Sequence, residues 1–345
     1  MTPQPLDFQT LPEARARLVH DFLNAQRAEL LPDDPAIPFE ERLGGWRHPS
    51  RHRVSLNFAL LEGERVLGLL EAAWHDDEPE NADVAWVDLG VAPDARRRGV
   101  GTLLVHALLE NLPPERTKPF FSTFAHLRGG EPFALALGAR RGLEEHTNQL
   151  LQAKRDEAYI GRALEKPVLE RFEAVWFKSD YPESELEALC KMFMVLNTAP
   201  RGDLEFNDSE FTPDQLRQEA EDNRRHGREF WLLVARERVT GRYAGFTETT
   251  WHPNRPKTVQ QHGTGVQPEF QAQRLGAWLK ATMLEQLLLE QPSVDRIRTG
   301  NADSNVPMLR INHGLGFKPF LARTEWQLDV KGALERLEAR ATVRS

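Results

Sequence analysis

A short turn rich in arginine and glycine is the part of this sequence best suited to chemistry. It runs from Arg96 to Gly101, after an apolar strand end at Val91 and before an apolar segment with helical spacing. The first N–H groups of a helix lack internal partners and lie at the positive end of its dipole, so they can hold a phosphate. Glycine lets a ligand approach the backbone, and guanidinium groups pair with phosphate oxygens. The turn therefore predicts a site for a pyrophosphate or a phosphorylated cofactor.

The two glycines of this turn also allow a structural interpretation. A Gly-x-Gly sequence after a strand is equally typical of a place where a helix packs closely on its neighbours, and both interpretations stay open. The third glycine of a dinucleotide-binding fingerprint is missing, and no GxxxxGK[ST] sequence occurs. A P-loop nucleotidase is therefore not expected.

The turn is part of an internal repeat. VAPDARRRGVGTLLVHALL from Val91 matches VQPEFQAQRLGAWLKATML from Val266, with Gly101 against Gly276 and the same spacing of 175 positions at both pairs. Upstream, Glu71 matches Glu248 at a spacing of 177, each three residues before a Trp-His pair. A looser match places Gly142 against Gly316. Repetition of this length indicates two related structural units.

The elements that must position these residues can be read from the pattern of the first copy. VSLNFALLEGERVLGLLEAAW predicts two strands around a turn, ADVAWVDLGV a third strand, and PFFSTFA a strand after the glycine turn. PFALALGARRGL predicts a short helix and a turn. Helical spacing predicts one buried stripe after the turn, formed by Val100, Leu103, Leu104, Ala107 and Leu108.

Length and composition indicate an ordinary globular protein of two domains. The chain has 345 residues, 40% hydrophobic and 28% charged, and we place the boundary near Lys166, giving domains 1–165 and 166–345. The net charge of -8 argues against nucleic acid as a partner and mildly favours cationic partners such as amines. No membrane segment, secretion signal or metal site is predicted, so a cytoplasmic location is expected. The single Cys190 is expected to fill the core.

The motif around the first turn resembles the acetyl-CoA signature of the GNAT N-acetyltransferase superfamily, V-x-P-x-x-R-x-x-G-x-G. Val91, Pro93, Arg96, Gly99 and Gly101 fill it completely. The second copy departs from the signature, with the residues Gln271, Arg274 and Gly276 at the positions of Arg96, Gly99 and Gly101. This departure places tight pyrophosphate binding by the second copy in question.

A second superfamily signature, an Asn followed later by an aromatic-Leu-Gly-Phe run, is kept better in the second copy. It has Asn305 and the sequence Leu315, Gly316, Phe317, whereas the first copy has decayed to Arg141, Gly142, Leu143. The resemblance implies an α/β fold, a mixed sheet flanked by helices in two tandem GNAT-like domains, a plan similar to that of the mycothiol synthases. The CoA-binding residues that it implies are Leu89, Val91, Arg96, Arg97, Arg98, Gly99, Val100, Gly101 and Thr102 in the first copy, and Thr264, Val266, Gln271, Gln273, Arg274, Leu275, Gly276, Ala277 and Asn305 in the second.

What the family implies chemically is direct attack of a neutral amine on the thioester of acetyl-CoA. A backbone N–H near Val91 or Val266 would donate to the thioester oxygen. An alkyl amine has a pKa of about 10, so a carboxylate or a histidine must take its proton. The catalytic residues proposed on this basis are Glu248, His262, Glu71 and Asn305.

The group that protonates the departing thiolate is not evident from the sequence. Many members of the superfamily use a tyrosine three residues before the Leu of the Leu-Gly-Phe run, and here that position holds Asn312, with Gly138 assigned to it in the first copy. An asparagine side chain cannot act as a general acid.

Two functions stay open from the sequence. The first is an N-acetyltransferase acting on a primary amine of a small molecule or a protein lysine; the other is a CoA-binding sensor or scaffold without turnover. We expect the first copy to bind CoA and the second to carry transfer, and the reverse assignment is an alternative.

Overall fold

The protein is described by a computed structural model that covers residues 1–344. Within this range the strands are β1 (Gln4–Leu6), β2 (Arg53–Glu62), β3 (Arg65–His75), β4 (Val84–Val91), β5 (Lys118–Phe124), β6 (Arg140–Leu151), β7 (Phe172–Lys178), β8 (Glu229–Glu237), β9 (Tyr243–Trp251), β10 (Thr258–Val266), β11 (Arg296–Ala302) and β12 (Lys318–Gln327). The helices are α1 (Glu13–Leu30), α2 (Phe39–Arg47), α3 (Val100–Asn111), α4 (Gly130–Leu137), α5 (Glu157–Ala163), α6 (Lys166–Arg171), α7 (Leu186–Phe193), α8 (Pro213–Arg225), α9 (Leu275–Glu290), α10 (Val306–Leu315) and α11 (Val330–Arg344). The predicted α/β class with a mixed sheet is confirmed.

Two compact units divide the chain, and neither is one continuous stretch of sequence. Unit 1 contains residues 1–143, 203–207 and 324–345, and unit 2 contains residues 144–202 and 208–323. The boundary near Lys166 therefore stays a prediction about the two sequence copies, because the compact units draw on residues from both sides of it. No helix among the described residues is long and apolar enough to cross a bilayer.

The sheet of unit 1 follows the order β1-β2-β3-β4-β5-β12. The first four strands are antiparallel, and β4 pairs with β5 in parallel. That parallel ladder is short, since it ends at Trp86 and Phe120 while β4 continues to Val91 and β5 to Phe124. The two strands therefore splay apart at their carboxyl ends.

The sheet of unit 2 follows the corresponding order β7-β8-β9-β10-β11-β6. The parallel ladder between β10 and β11 ends at Gln260 and Arg298, and the strands then diverge as β4 and β5 do. The antiparallel ladder between β10 and β9 contains an irregularity between Gln261 and Thr264, which changes the direction of the side chains of the intervening residues. Both units thus carry an opening between two parallel strands.

In each sequence copy, the end of the last strand and the helix after it lie in the unit built mainly from the other copy. In unit 1, Leu328 N–H donates to Pro119 C=O at 2.9 Å, and Trp326 Nε1 donates to the Thr123 hydroxyl at 2.8 Å. In unit 2, β6 pairs with β11 over Glu145–Leu151. Helix α11 packs on α3 and α4, and α5 packs on α9 and α10. The sequence copies have therefore exchanged their final elements.

The helix after each turn forms the centre of a hydrophobic core. On α3 the prediction is confirmed for Val100, Leu104 and Leu108, which are buried. It is wrong for Leu103, which is 40% exposed. The buried stripe instead continues through Val105 and Leu109, because Leu103 lies about 100° around the helix axis from Leu104, on the side away from Val105.

Lys280 on α9 is buried at a position where the first copy has Val105, which is also buried. It lines a small cavity with Thr249 and Gln261, and its ammonium lies 5.4 Å from the centre of the Phe317 ring. Burial lowers the pKa of Lys280 to about 7. At neutral pH the unfolded chain binds a proton that the folded chain holds only weakly, and this difference disfavours folding.

We therefore expect Lys280→Met to stabilise the protein. The gain is complete below about pH 7, shrinks as the pH rises and vanishes above the ordinary lysine pKa of about 10.4, with an upper limit of about 4 kcal/mol at pH 7. Urea unfolding at pH 7 and pH 10 measures the difference. Val105→Met is the matched control, which changes volume but no charge. An equal effect of Lys280→Met at both pH values would contradict the prediction.

Candidate active site

The first glycine turn has a backbone shape suited to an anion, but not all its arginines are free to bind one. Arg97 and Gly99 take left-handed conformations, with φ of 63° and 85°. The Arg96 guanidinium donates to Glu29 on α1 at 2.7 Å and to the carbonyl of Val91 at 3.1 Å. The hydrogen bond from Arg96 to Glu29 lowers the pKa of that carboxyl. Arg96 therefore fixes the turn, which corrects the expectation that all three arginines face a phosphate.

The second turn repeats this shape despite its altered sequence. Ala272 and Arg274 have φ of 61° and 60°, at the positions of Arg97 and Gly99. Gln271 donates to the carbonyl of Val266 at 3.2 Å, as Arg96 does to Val91. The loss of the first glycine therefore does not abolish the backbone geometry on which anion binding depends.

The glycines inside the two helices serve packing. A Cβ at Gly101 would lie 3.3 Å from the Phe133 ring, and one at Gly276 would lie 3.2 Å from Ile311. A Cβ at Gly99 would meet nothing within 4 Å, so that glycine is needed for its φ alone. The packing interpretation of the motif thus applies to Gly101 and Gly276.

The other predicted CoA residues are positioned around these turns by the same elements. Val100 and Leu275 point into the core, so that only their backbone groups can serve a ligand. The amide oxygen of Gln273 accepts from Arg171 at 2.7 Å. Leu89 and Thr264 lie near the ends of β4 and β10, and Arg98 lies in the first turn. Thr102 and Ala277 lie in the first turns of α3 and α9.

At the end of each splayed strand, the backbone N–H of a valine, Val91 or Val266, points into the opening. Ala92 N–H donates to Leu67 on β3, and Gln267 N–H donates to Ala244 on β9. Because successive N–H groups of a strand point in opposite directions, those of Val91 and Val266 face the opening. Both are placed where the resemblance expects a donor to the thioester oxygen.

Unit 2 brings carboxylates together beside its opening. Glu248 on β9 is half-buried and accepts from Gly263 N–H at 3.1 Å. Burial and the nearby charge of Glu219 on α8 raise the pKa of Glu248 to about 8. The residue Glu219 is exposed on the surface of α8. The protein atoms around its carboxyl group nevertheless remove part of its hydration and raise its pKa too, against the opposing effect of Arg228. Glu248 is therefore a carboxyl group that can exchange protons near neutral pH.

His262 lies on β10 next to Gly263, the residue whose N–H donates to Glu248. Its Nε2 is 2.6 Å from the Thr250 hydroxyl, and burial, with a smaller contribution from Arg228, lowers its pKa. Because Thr250 and Glu248 are two residues apart on β9, their side chains share a face of the sheet. The structure therefore brings the candidates Glu248 and His262 to one face of the sheet, and it adds Glu219 and Arg228, for which no sequence motif gave a signal.

The corresponding glutamate of unit 1 has a different environment. Glu71 on β3 forms an ion pair with Arg53 on β2 at 2.6 Å. The carboxylate of Glu71 is thus engaged by a guanidinium, whereas that of Glu248 accepts from a backbone N–H. The position of His262 corresponds to Val87, which is buried in the core of unit 1. The sequence-matched glutamates are therefore not chemically equivalent.

The asparagines of the second signature are structural. Asn305 caps α10, with its side chain accepting from Met308 N–H at 3.3 Å, which makes a catalytic role unnecessary to explain it. Asn312 is fully buried and donates to Asn301 at 2.6 Å. Neither asparagine can supply a proton to a leaving thiolate.

The alignment of the second signature in the first copy needs correction. Gly138 ends α4 with φ of 83°, as Gly316 ends α10 with φ of 105°. Phe317 N–H donates to Asn312 C=O and Ala139 N–H donates to Ala134 C=O, both at 3.0 Å. The counterpart of Gly316 is thus Gly138, and the position of the family tyrosine is Ala134. Gly142 lies in β6, where Leu204 leaves no room for a Cβ.

Cys190 is buried on α7, and burial raises the pKa of its thiol. It packs among the apolar side chains of α7 and β8. A thiol with a raised pKa is a poor nucleophile, and the expectation that Cys190 fills the core is confirmed.

Comparison with known proteins agrees with this geometry. Residues 18–138 match the model of the acetyltransferase (GNAT) family. The mycothiol acetyltransferase of Salinispora arenicola is 26% identical over 304 residues, covering 85% of this chain and 88% of that protein. A tandem GNAT protein from the clavulanic acid biosynthesis pathway superposes with a TM-score of 0.79 at 24% identity, covering 95% of this chain and 98% of its own. The GCN5-related N-acetyltransferase from Sphaerobacter thermophilus superposes with a TM-score of 0.66 at 14% identity, covering 95% and 96%.

A splayed parallel strand pair, followed by a turn with left-handed residues and a helix, occurs in both units, and the acetyltransferase (GNAT) family match covers the first of these arrangements. The chain thus carries a GNAT family match in its first part and has the fold of a tandem GNAT protein over most of its length.

Proposed function

We propose that the protein is an acetyl-CoA-dependent N-acetyltransferase that acts on a primary amine of a small molecule or a protein lysine. We place transfer in unit 2. The observation that supports this placement is the group of Glu248, Glu219 and His262 beside the opening of β10 and β11, which has no counterpart at the matched positions of unit 1.

Acetyl-CoA fits the residues at both openings. The turns expose the first N–H groups of α3 and α9, and left-handed residues at matched positions give both turns the same course. When bound, acetyl-CoA supplies an activated acetyl thioester. Transfer requires this thioester and the base in one site, so unit 2 must bind its own acetyl-CoA. This modifies the expectation that the first copy binds CoA and the second carries transfer.

The residues of unit 2 divide the chemical work between them. Val266 N–H donates to the thioester oxygen and stabilises the negative charge that develops there. Glu248 takes the proton of the attacking amine, either directly or through water. A carboxylate with a pKa of about 8 is a stronger base than an ordinary glutamate, and it can still be ionised at a mildly alkaline pH.

His262 and Glu219 support this proton transfer. With its lowered pKa, His262 stays neutral near pH 7 and can accept or relay a proton. The charge of Glu219 strengthens Glu248 as a base and attracts a cationic amine to the site. None of the tyrosines occupies the family position, so we assign protonation of the thiolate to water.

Release of free CoA thiol from acetyl-CoA across a panel of primary amines tests this function. We expect amine-dependent release, with a rate that saturates with the amine. Binding of acetyl-CoA without release on any amine would leave the protein as a sensor or scaffold and would overturn the enzymatic proposal. Reactions that lack amine serve as the control for slow hydrolysis.

A further inference from the structure

A cavity of about 330 Å³ lies beside the second turn in unit 2. Its lining includes Arg162 on α5, Arg171 at the end of α6, Phe172 at the start of β7, and Gln273 and Arg274 of the turn itself. Helix α5 is the last helix of the first sequence copy and α6 follows it, so this wall of the cavity is not part of the glycine-turn motif of the second copy. The cavity is therefore a feature that the motif does not explain.

Arg171 is already committed to other contacts within this cavity. Its guanidinium donates to Glu237 at 2.8 Å and to Gln273 at 2.7 Å, and it lies over the rings of Phe172 and Phe270. It is thus a positioning residue that holds the turn against β7. Its charge is balanced by Glu237.

Arg162 and Arg274 have no such balance. Among the described residues neither guanidinium forms an ion pair, and Arg162 contacts only the ring of Tyr159, at 5.9 Å from its centre. Glu165 is the one carboxylate among the lining residues. Arg274 also takes a left-handed conformation that glycine occupies in the first copy. A strained arginine retained in place of glycine suggests that its charge is used.

We infer that Arg162 and Arg274 bind the 3′-phosphate of CoA at the second turn. The inference rests on the proposed binding of acetyl-CoA to unit 2. Backbone N–H groups at the start of α9 are suited to the pyrophosphate, which leaves the 3′-phosphate of the cofactor to be neutralised. A phosphate monoester carries close to two negative charges at pH 7, and two guanidinium groups match that charge. Through Arg162, the helix α5 from the first sequence copy thus makes the second site selective for the full cofactor.

The test compares CoA with 3′-dephospho-CoA on the full chain by hydrogen exchange and mass spectrometry. Peptides covering residues 157–165 and 271–280 report the second turn, and peptides covering residues 91–105 report the first. We expect the second turn to be protected at about tenfold or more lower concentration of CoA than of 3′-dephospho-CoA. Arg162→Gln and Arg274→Gly should each raise the CoA midpoint about tenfold and leave the 3′-dephospho-CoA midpoint nearly unchanged.

Arg310→Gln is the matched control, since Arg310 is an exposed arginine of α10 outside the cavity lining, and it should change neither midpoint. Arg274→Gly also keeps the turn foldable, because the first copy has glycine there. Protection of the second turn at equal concentrations of the two ligands would overturn the inference and leave the proposed function intact. Absence of protection by either ligand would overturn both.

Discussion

Replacing Glu248 by glutamine is expected to lower kcat/KM for amine acetylation by about 100-fold or more near pH 8, while the affinity for acetyl-CoA stays close to that of the natural protein. The amide keeps the size of the side chain but cannot accept a proton. In the natural protein kcat/KM should rise with pH and bend near pH 8, because Glu248 acts only when ionised and its pKa is about 8. In the variant the bend should disappear, and the remaining rise should follow the free amine, with its pKa of about 10.

Glu71→Gln is the comparison that assigns the reaction to a unit. Glu71 lies at the matching strand position but is paired with Arg53, so its replacement should change kcat/KM by less than a few-fold. Continuous thiol release between pH 6 and pH 10 measures both variants. A larger loss with Glu71→Gln than with Glu248→Gln would move transfer to unit 1.

The contrast between the two glutamates explains why the repeat alone could not assign function. The sequence predicts that Glu71 and Glu248 share a strand position, and the structure places them on β3 and β9 as expected. Their chemistry differs because Arg53 reaches one, whereas Glu219 on α8 lies near the other. In the sequence, Arg53 is 18 residues from Glu71, and Glu219 is farther than that from Glu248. No local sequence pattern connects either pair.

The elements themselves were well predicted. Alternation and turn residues located β2 to β5, and the glycine turn located α3 and α9. The conformation of the second turn was not predictable, because Arg274 in a left-handed conformation contradicts the preference of its residue type. Lys280 is a similar case, since a lysine within a helix usually points to solvent and here it is buried.

The exchange of final strands could not be predicted from the pattern. Both β6 and β12 follow a short helix that ends in a left-handed glycine, and either could pair with either parallel strand. The choice depends on long-range contacts such as those of Trp326 with Thr123 and of Glu325 with Ser122, the latter at 2.8 Å. Sequence copies and compact units therefore differ at their ends.

We expect Trp326→Ala to destabilise unit 1, although Trp326 lies in the second sequence copy. Its side chain is fully buried in the core formed with α3, α4 and α11. Removing a buried tryptophan costs about 3–5 kcal/mol, a large part of the stability of one domain. Hydrogen exchange in low urea should show lost protection in β4 and β5, with protection of β8 and β9 largely kept.

Phe317→Ala is the matched variant, nine residues earlier in the same sequence copy. Phe317 is buried in the core of unit 2 with α9, so its removal should reduce protection in β8 to β11 and spare β2 to β5. The two variants should thus affect opposite units, because the chain passes from one core to the other between these residues. Loss of protection in unit 2 for both variants would mean that β12 and α11 belong with their own sequence copy and that the strand exchange does not occur.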